Sequence, residues 1–115
     1  MKKLKHLDVE RIDELALMLD DEFSTFINTF LMHSEDLITS LKQQIANSDL
    51  AEFTISIHSL KGSCRNIGAE QLADYCLQIE LLARKDERVT IEGKFLTFDQ
   101  EFERLRSTLL KLARI

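Results

Sequence analysis

The sequence predicts an all-α fold, an antiparallel four-helix bundle with a short N-terminal capping helix. The chain has no proline and only three glycines among its 115 residues. Proline and glycine interrupt helices, so a chain almost free of them favours long helices. Apolar residues also recur with helical spacing along nearly the whole chain. Amphipathic helices joined by short turns bury their apolar stripes against one another, and an antiparallel bundle achieves this most simply.

The first two helices are predicted from about residue 8 to 19 and from about 21 to 46. The first has one apolar stripe, formed by Val9, Ile12, Leu15, Ala16 and Leu19. Asp20 and Asp21 indicate a break and a new start, because acidic side chains stabilise the N terminus of a helix. The second helix has the most regular pattern of the chain, in Phe23, Phe26, Ile27, Phe30, Leu31, Leu37, Ile38, Leu41 and Ile45.

Three further helices are predicted at about 49–67, 69–84 and 95–114. The third helix ends before Gly68, since glycine suits the position that follows a helix. The fourth buries Leu72, Cys76, Ile79 and Ala83. The charged segment from Lys85 to Lys94 is interpreted as the longest loop. The last helix has the spacing of a bundle seam, in Phe98, Phe102, Leu105, Leu109 and Leu112.

Composition and charge limit the classes of function. The net charge of −5 argues against non-specific binding of nucleic acid, which depends on basic patches. No apolar run approaches the roughly 20 residues of a membrane span. Cys64 and Cys76 fall on apolar helix faces and lack the spacing of a zinc site or a redox motif, so both are predicted to be buried thiols. We therefore expect residues 1–115 to form a single cytoplasmic domain, and nothing in the sequence demands more than a monomer.

The third helix has an unusual outer face. At about 100° per residue, its core face comprises Leu50, Phe53, Ile57, Leu60, Cys64 and Ile67. His58 lies roughly 130° from the centre of that face, so its ring is predicted to be in water. Ala51, Ile55, Gly62 and Arg65 share the outer face with it. A glycine within a helix costs about 0.5–1 kcal/mol relative to alanine. The small residues and the apolar Ile55 together predict a low surface that a partner can approach closely.

The residues on this face suit phosphoryl transfer. An exposed imidazole is largely neutral at cellular pH and offers a nucleophilic nitrogen. Lys61 lies three residues after His58, so its ammonium group can stabilise the charge on a transferring phosphoryl group. Arg65 and Arg84 add positive charge nearby. A surface histidine or lysine alone is more often only a solvated residue, so the argument depends on the whole pattern.

The segment from His58 to Ala69, HSLKGSCRNIGA, resembles the signature of histidine-containing phosphotransfer (HPt) domains, H-x-L-K-G-S-x-x-x-[apolar]-G-A. The resemblance implies a four-helix bundle with an N-terminal capping helix. It implies that His58 is phosphorylated, that Lys61 stabilises the phosphoryl group and that Gly62 leaves room for a receiver domain. Cys64 stands where many members have a small polar residue. Because this position faces inward, the departure leaves the implied roles intact.

The resemblance further implies a stand-alone phosphorelay intermediate of two-component signalling. The receiver domain of a hybrid histidine kinase, carrying a phospho-aspartate, would dock on the face of Ile55, Gly62 and Arg65. The Nε2 atom of His58 would attack phosphorus in line, while Lys61 and Mg²⁺ in the receiver neutralise the equatorial oxygens. The phosphoryl group would then pass to the receiver of a response regulator. The chain is thus expected to be a carrier with no ATP site, kinase activity or cofactor of its own.

Three other functions remain as alternatives. An enzyme using His58 as a general base needs an orienting group, and the residues one turn away include no carboxylate. These residues are Thr54, Ile55, Lys61 and Gly62. A di-iron bundle needs Glu-x-x-His pairs, but Phe30 precedes His33 and Ile55 precedes His58 at that spacing. The third alternative is an HPt-like module that binds receivers without phosphotransfer. His6 and His33 are predicted to have no functional role.

Overall fold

In a computed structural model, the described residues 7–113 form five α-helices. These are α1 (Val9–Leu19), α2 (Phe23–Ala46), α3 (Leu50–Ile67), α4 (Glu70–Arg84) and α5 (Arg88–Ala113), with a 3-10 turn at Asp20–Glu22. Helices α2 to α5 pack consecutively, and α5 closes the bundle against α2. Helix α1 contacts α2 and α3 at one end. The predicted all-α bundle with an N-terminal capping helix is confirmed.

The end of α3 is fixed by Gly68 and by α1. Gly68 has a φ of 86°, a left-handed conformation that favours glycine because it lacks a Cβ. An added Cβ would also lie 3.0 Å from the Arg11 side chain. The backbone N–H of Asp8 donates to the carbonyl of Gly68, and Arg11 Nε donates to the carbonyl of Asn66 at 2.9 Å. Helix α1 therefore satisfies carbonyl groups at the C terminus of α3.

The predicted loop from Lys85 to Lys94 is wrong. Only residues 85–87 separate α4 from α5, which begins at Arg88 instead of 95. The reason is Ile91, which is fully buried and extends the α5 seam by a further turn. Burying such a side chain contributes about 1.5–3 kcal/mol, more than the cost of Gly93 within the helix. The predicted end of this helix at residue 114 lies outside the described residues. His6, which was predicted to have no functional role, also lies outside them.

The core faces of the helices agree with the apolar spacing of the sequence. The α3 residues Phe53, Ile57, Leu60, Cys64 and Ile67 are buried, and Leu50 packs against them. Both cysteines are free and buried, as predicted. Hydrogen bonding with Cys64 and burial raise the pKa of the Cys76 thiol, so this group stays protonated. Within residues 7–113, no helix combines the length and the hydropathy that a membrane span requires.

Candidate functional site

His58 lies in the middle of α3, on the side that faces away from the core. Its side chain is 67% exposed, and Ile55, one turn before it, is 63% exposed. Gly62 and Arg65 are exposed on the same outer face. A Cβ added to Gly62 would meet nothing within 4 Å, so the space beside the imidazole is open. His58, Ile55, Gly62 and Arg65, like Ala51, are thus exposed on one side of α3, as the helical spacing predicted.

Helix α4 supplies a carboxylate to this site. Glu80 is only 2% exposed, and its Oε2 lies 3.1 Å from Nδ1 of His58. Its other oxygen, Oε1, accepts a hydrogen bond of 2.6 Å from Nζ of Lys61. The short turn after α3 makes α3 and α4 antiparallel neighbours, which places Glu80 level with His58. One carboxylate therefore links the imidazole and the ammonium group.

The charge of Glu80 determines the tautomer of His58. Burial would raise the pKa of the Glu80 carboxyl, but hydrogen bonds from Lys61 and His58 outweigh it and lower the pKa. The carboxyl is therefore ionised at neutral pH, and an ionised carboxylate can only accept hydrogen bonds. The hydrogen of the neutral imidazole is thus assigned to Nδ1. Nε2, on the other side of the ring, keeps the lone pair that a nucleophile needs.

Lys61 lies on the predicted side of α3, but its ammonium group is not free in solvent. The Lys61 side chain is 11% exposed and is paired with Glu80. The ammonium group and the imidazole thus meet through the carboxylate of Glu80. Lys61 contributes a positive charge that is fixed in position beside the ring.

Arg84 is a third partner of Glu80. Its Nη2 lies 3.3 Å from Oε2, the oxygen that also contacts His58, and its side chain is 64% exposed. With Lys61 and Arg84 positive and Glu80 negative, this cluster has a positive charge in excess while the imidazole is neutral. Such a cluster suits an anionic group at Nε2.

Glu80 is the residue of this site that the sequence pattern did not predict. Helical spacing identifies only the neighbours of His58 one turn away on α3, whereas Glu80 comes 22 residues later in the chain. A signal was present, because Glu80 lies between the buried Ile79 and Ala83 and one turn after the buried Cys76. A charged residue at the edge of an apolar stripe needs a partner of opposite charge.

Two depressions adjoin the outer face of α3. Arg65 lines a cavity of about 330 Å³ together with Glu70, Ala73 and Asp74, so two acidic residues share this depression with it. A second cavity of about 190 Å³ lies between α2 and α3. Its lining residues are Phe26, Thr29, Phe30, His33, Ser63 and Asn66. This second cavity is therefore lined by both apolar and polar side chains.

Comparisons with known proteins agree with the all-α fold. The family model of the Hpt domain matches residues 25–108. The crystal structure of histidine-containing phosphotransfer protein B (HptB) from Pseudomonas aeruginosa PAO1 is similar, with a TM-score of 0.90, 28% identity and 96% of each chain covered. A histidine-containing phosphotransfer protein from maize, ZmHP2, has the same fold, with a TM-score of 0.85 and 19% identity over 96% of this chain and 90% of that one. A comparison with curated proteins found no match.

Proposed function

Because the chain belongs to the Hpt domain family, we propose that it accepts a phosphoryl group on His58 from a receiver-domain aspartate and passes it to another receiver. A role in histidine phosphotransfer within two-component phosphorelays follows from the family and the structural neighbours. The proposal adds the residue and the two partners, the receivers of a hybrid histidine kinase and of a response regulator. The observation that supports it most directly is the exposed imidazole whose Nδ1 is held by Glu80.

The proposed transfer is balanced without a proton leaving the ring. The lone pair of Nε2 attacks phosphorus, a nitrogen–phosphorus bond forms, and the bond from phosphorus to the aspartyl oxygen breaks. The electron pair of that bond leaves with the aspartate carboxylate. The Nδ1 hydrogen stays on His58 and donates to Glu80, whose charge compensates the positive ring of the product. Transfer to the second receiver is the reverse of these steps.

In this proposal, the partner receiver supplies most of the groups that the transfer requires. The receiver supplies Mg²⁺, and this chain needs no cofactor, ATP site or kinase activity of its own. Lys61 contributes positive charge beside the phosphoryl group from its fixed position on Glu80. A cytoplasmic location and a monomeric state belong to the same proposal.

The proposed docking face consists of Ile55, Gly62 and Arg65 around His58. Ile55 offers exposed apolar surface next to the ring. Gly62 leaves open space through which the receiver can bring its aspartate to Nε2. Arg65 is an exposed cation two turns after His58 on α3, where it can attract an acidic receiver surface.

The test is phosphotransfer from a labelled, phosphorylated receiver domain in the presence of Mg²⁺. We expect the wild type to acquire acid-labile, base-stable label, as phosphohistidine does, and His58→Gln to acquire none. His33→Gln is the matched control, since His33 is another exposed histidine. Label on His58→Gln would assign the reaction to another residue. Cognate receivers that bind the wild type without transferring label would favour the interaction module instead.

A further inference from the structure

Lys61 forms a short, buried ion pair with Glu80, and this pair restricts its ability to contact a phosphoryl group. Its ammonium group donates a 2.6 Å hydrogen bond to Oε1, and both side chains are almost entirely buried. If Lys61 moved to another anion, the Glu80 charge would remain buried without its closest partner. Breaking a buried pair in this way is strongly unfavourable. The pair therefore stays in place when a phosphoryl group arrives at His58.

Arg84 is held less tightly than Lys61, and its side chain is more exposed. Its contact with Glu80 is longer, at 3.3 Å, and its side chain is 64% exposed. Exposed ion pairs contribute little stability, so this contact is easily exchanged for another. The guanidinium also has several N–H donors, and the contact with Oε2 uses one nitrogen. Arginine is well suited to donate the remaining hydrogen bonds to a phosphoryl group.

Arg84 also contacts the carboxylate that holds the imidazole of His58. Its Nη2 and the Nδ1 of His58 contact the same oxygen atom of Glu80. Arg84 follows Glu80 by one turn on α4, and α4 runs antiparallel to α3. The guanidinium of Arg84 reaches back to the Glu80 oxygen that faces His58, whereas Lys61 contacts the other oxygen. Two cations thus share the carboxylate that holds the imidazole.

We propose that Arg84 is the cation of this chain that donates hydrogen bonds to the phosphoryl group on His58, while Lys61 remains paired with Glu80. This inference rests on the proposed function. The contact is non-covalent, so the bonds that form and break in the transfer are unchanged. Arg84 lowers the energy of the transferring phosphoryl group and of the phosphohistidine by partly neutralising its oxygens.

The test separates a phosphoryl contact from an effect on docking. Phosphoramidate is a small phosphoryl donor, so its reaction with His58 needs no receiver surface. We expect Arg84→Gln to lower the rate of His58 phosphorylation by phosphoramidate by about tenfold, the effect of losing one charged hydrogen bond. Lys85→Gln removes the same charge from the next, exposed residue and should change the rate by less than about twofold. Equal rates for the two variants would overturn the inference.

A second experiment separates direct contact from an indirect effect through Glu80. If Arg84 touches the phosphoryl group, Arg84→Gln slows phosphorylation by the same factor in the wild type and in a Glu80→Gln background. If Arg84 acts only by holding Glu80, its effect disappears in that background and the inference fails. Arg84→Lys serves where the double variant does not fold. It keeps the charge, and direct contact predicts a rate between those of the wild type and Arg84→Gln.

The two proposals fail in different ways. A wild type that gains no label on His58 from phosphoramidate or from receivers contradicts the proposed function, and this inference with it. A wild type that is labelled, together with an Arg84→Gln variant that reacts at the wild-type rate, contradicts this inference alone. Because the Arg84 side chain is exposed, the thermal unfolding midpoint of Arg84→Gln should match that of the wild type. A matching midpoint excludes misfolding as the cause of a slow reaction.

Discussion

Lys61 Nζ and Glu80 Oε1 lie 2.6 Å apart beneath the imidazole of His58, in an ion pair that joins α3 to α4. Removing both charges from water costs about as much as their attraction returns. The pair is therefore a weak source of net stability. The ion pair instead fixes the position of the Glu80 carboxylate, which in turn holds Nδ1 of His58.

Removing the Glu80 charge should destabilise the fold. Glu80→Gln keeps the size of the side chain but leaves the ammonium group of Lys61 buried without its counter-charge. We expect a loss of about 3–5 kcal/mol in the free energy of unfolding. Urea unfolding monitored by circular dichroism measures this loss.

Two further variants isolate burial as the reason. Lys61→Met in the Glu80→Gln background removes the unpaired cation and should restore much of the stability. Asp99→Asn breaks the pair with Lys42, which has nearly the same distance of 2.7 Å but is about half exposed. That change should cost no more than about 1 kcal/mol. Equal losses for Glu80→Gln and Asp99→Asn would show that burial is not decisive.

The outer face of α3 could be predicted because helical spacing determines direction. His58, Ile55, Gly62 and Arg65 lie where 3.6 residues per turn place them. Glu80 could not be found in this way, because its contact with His58 depends on how α4 is aligned with α3. Periodicity defines which side of each helix is buried, but it does not define which residues of two helices are level.

The start of α5 shows a second limit. The segment from Lys85 to Lys94 contains many charges and Gly93, and local composition alone predicts a loop. The single buried side chain of Ile91 continues the seam of Phe95 and Phe98, and tertiary packing overrides local preference. A charged segment with one apolar residue in register with the following seam is better interpreted as helix.

The stability of the fold should depend on pH through Glu80. Its pKa is lowered in the folded protein from the ordinary value of 4.5, so its contribution is fully present above that value. The contribution is lost as the pH falls below 4.5 and through the folded pKa, because the protonated carboxyl no longer balances Lys61. The free energy of unfolding of the wild type should therefore fall more steeply in this acid range than that of Glu80→Gln. Urea unfolding of both proteins across the range tests this, and parallel curves would contradict it.

Gly62 and Gly93 form a matched pair for separating docking from stability. Both lie within helices, and an added Cβ meets nothing within 4 Å at either position. Replacing each by alanine should stabilise the fold by about 0.5–1 kcal/mol, since glycine is the poorer helix former. Gly62→Gln should slow transfer from a receiver by at least about tenfold, because a long side chain beside His58 obstructs the approach.

The reaction with phosphoramidate distinguishes obstruction of the receiver from damage to His58. Gly62→Gln should react with this small donor at nearly the wild-type rate, and Gly93→Gln should resemble the wild type with both donors. If Gly62→Gln transferred normally from receivers, the open space beside the imidazole would have no role in docking.

Arg65 should act through long-range attraction to the receiver. Arg65→Glu reverses an exposed charge on the docking face, so we expect slower transfer from a receiver, with a larger effect at low than at high salt. The acidic Glu70 and Asp74 line the same cavity and already weaken the positive potential around Arg65. The expected loss is therefore modest, about threefold to tenfold at low salt. Lys111→Glu, an equal reversal on α5 across the bundle from α3, should have little effect. Transfer rates measured over a range of salt concentrations decide the point, and an Arg65→Glu rate equal to the wild type at every concentration would remove Arg65 from the docking face.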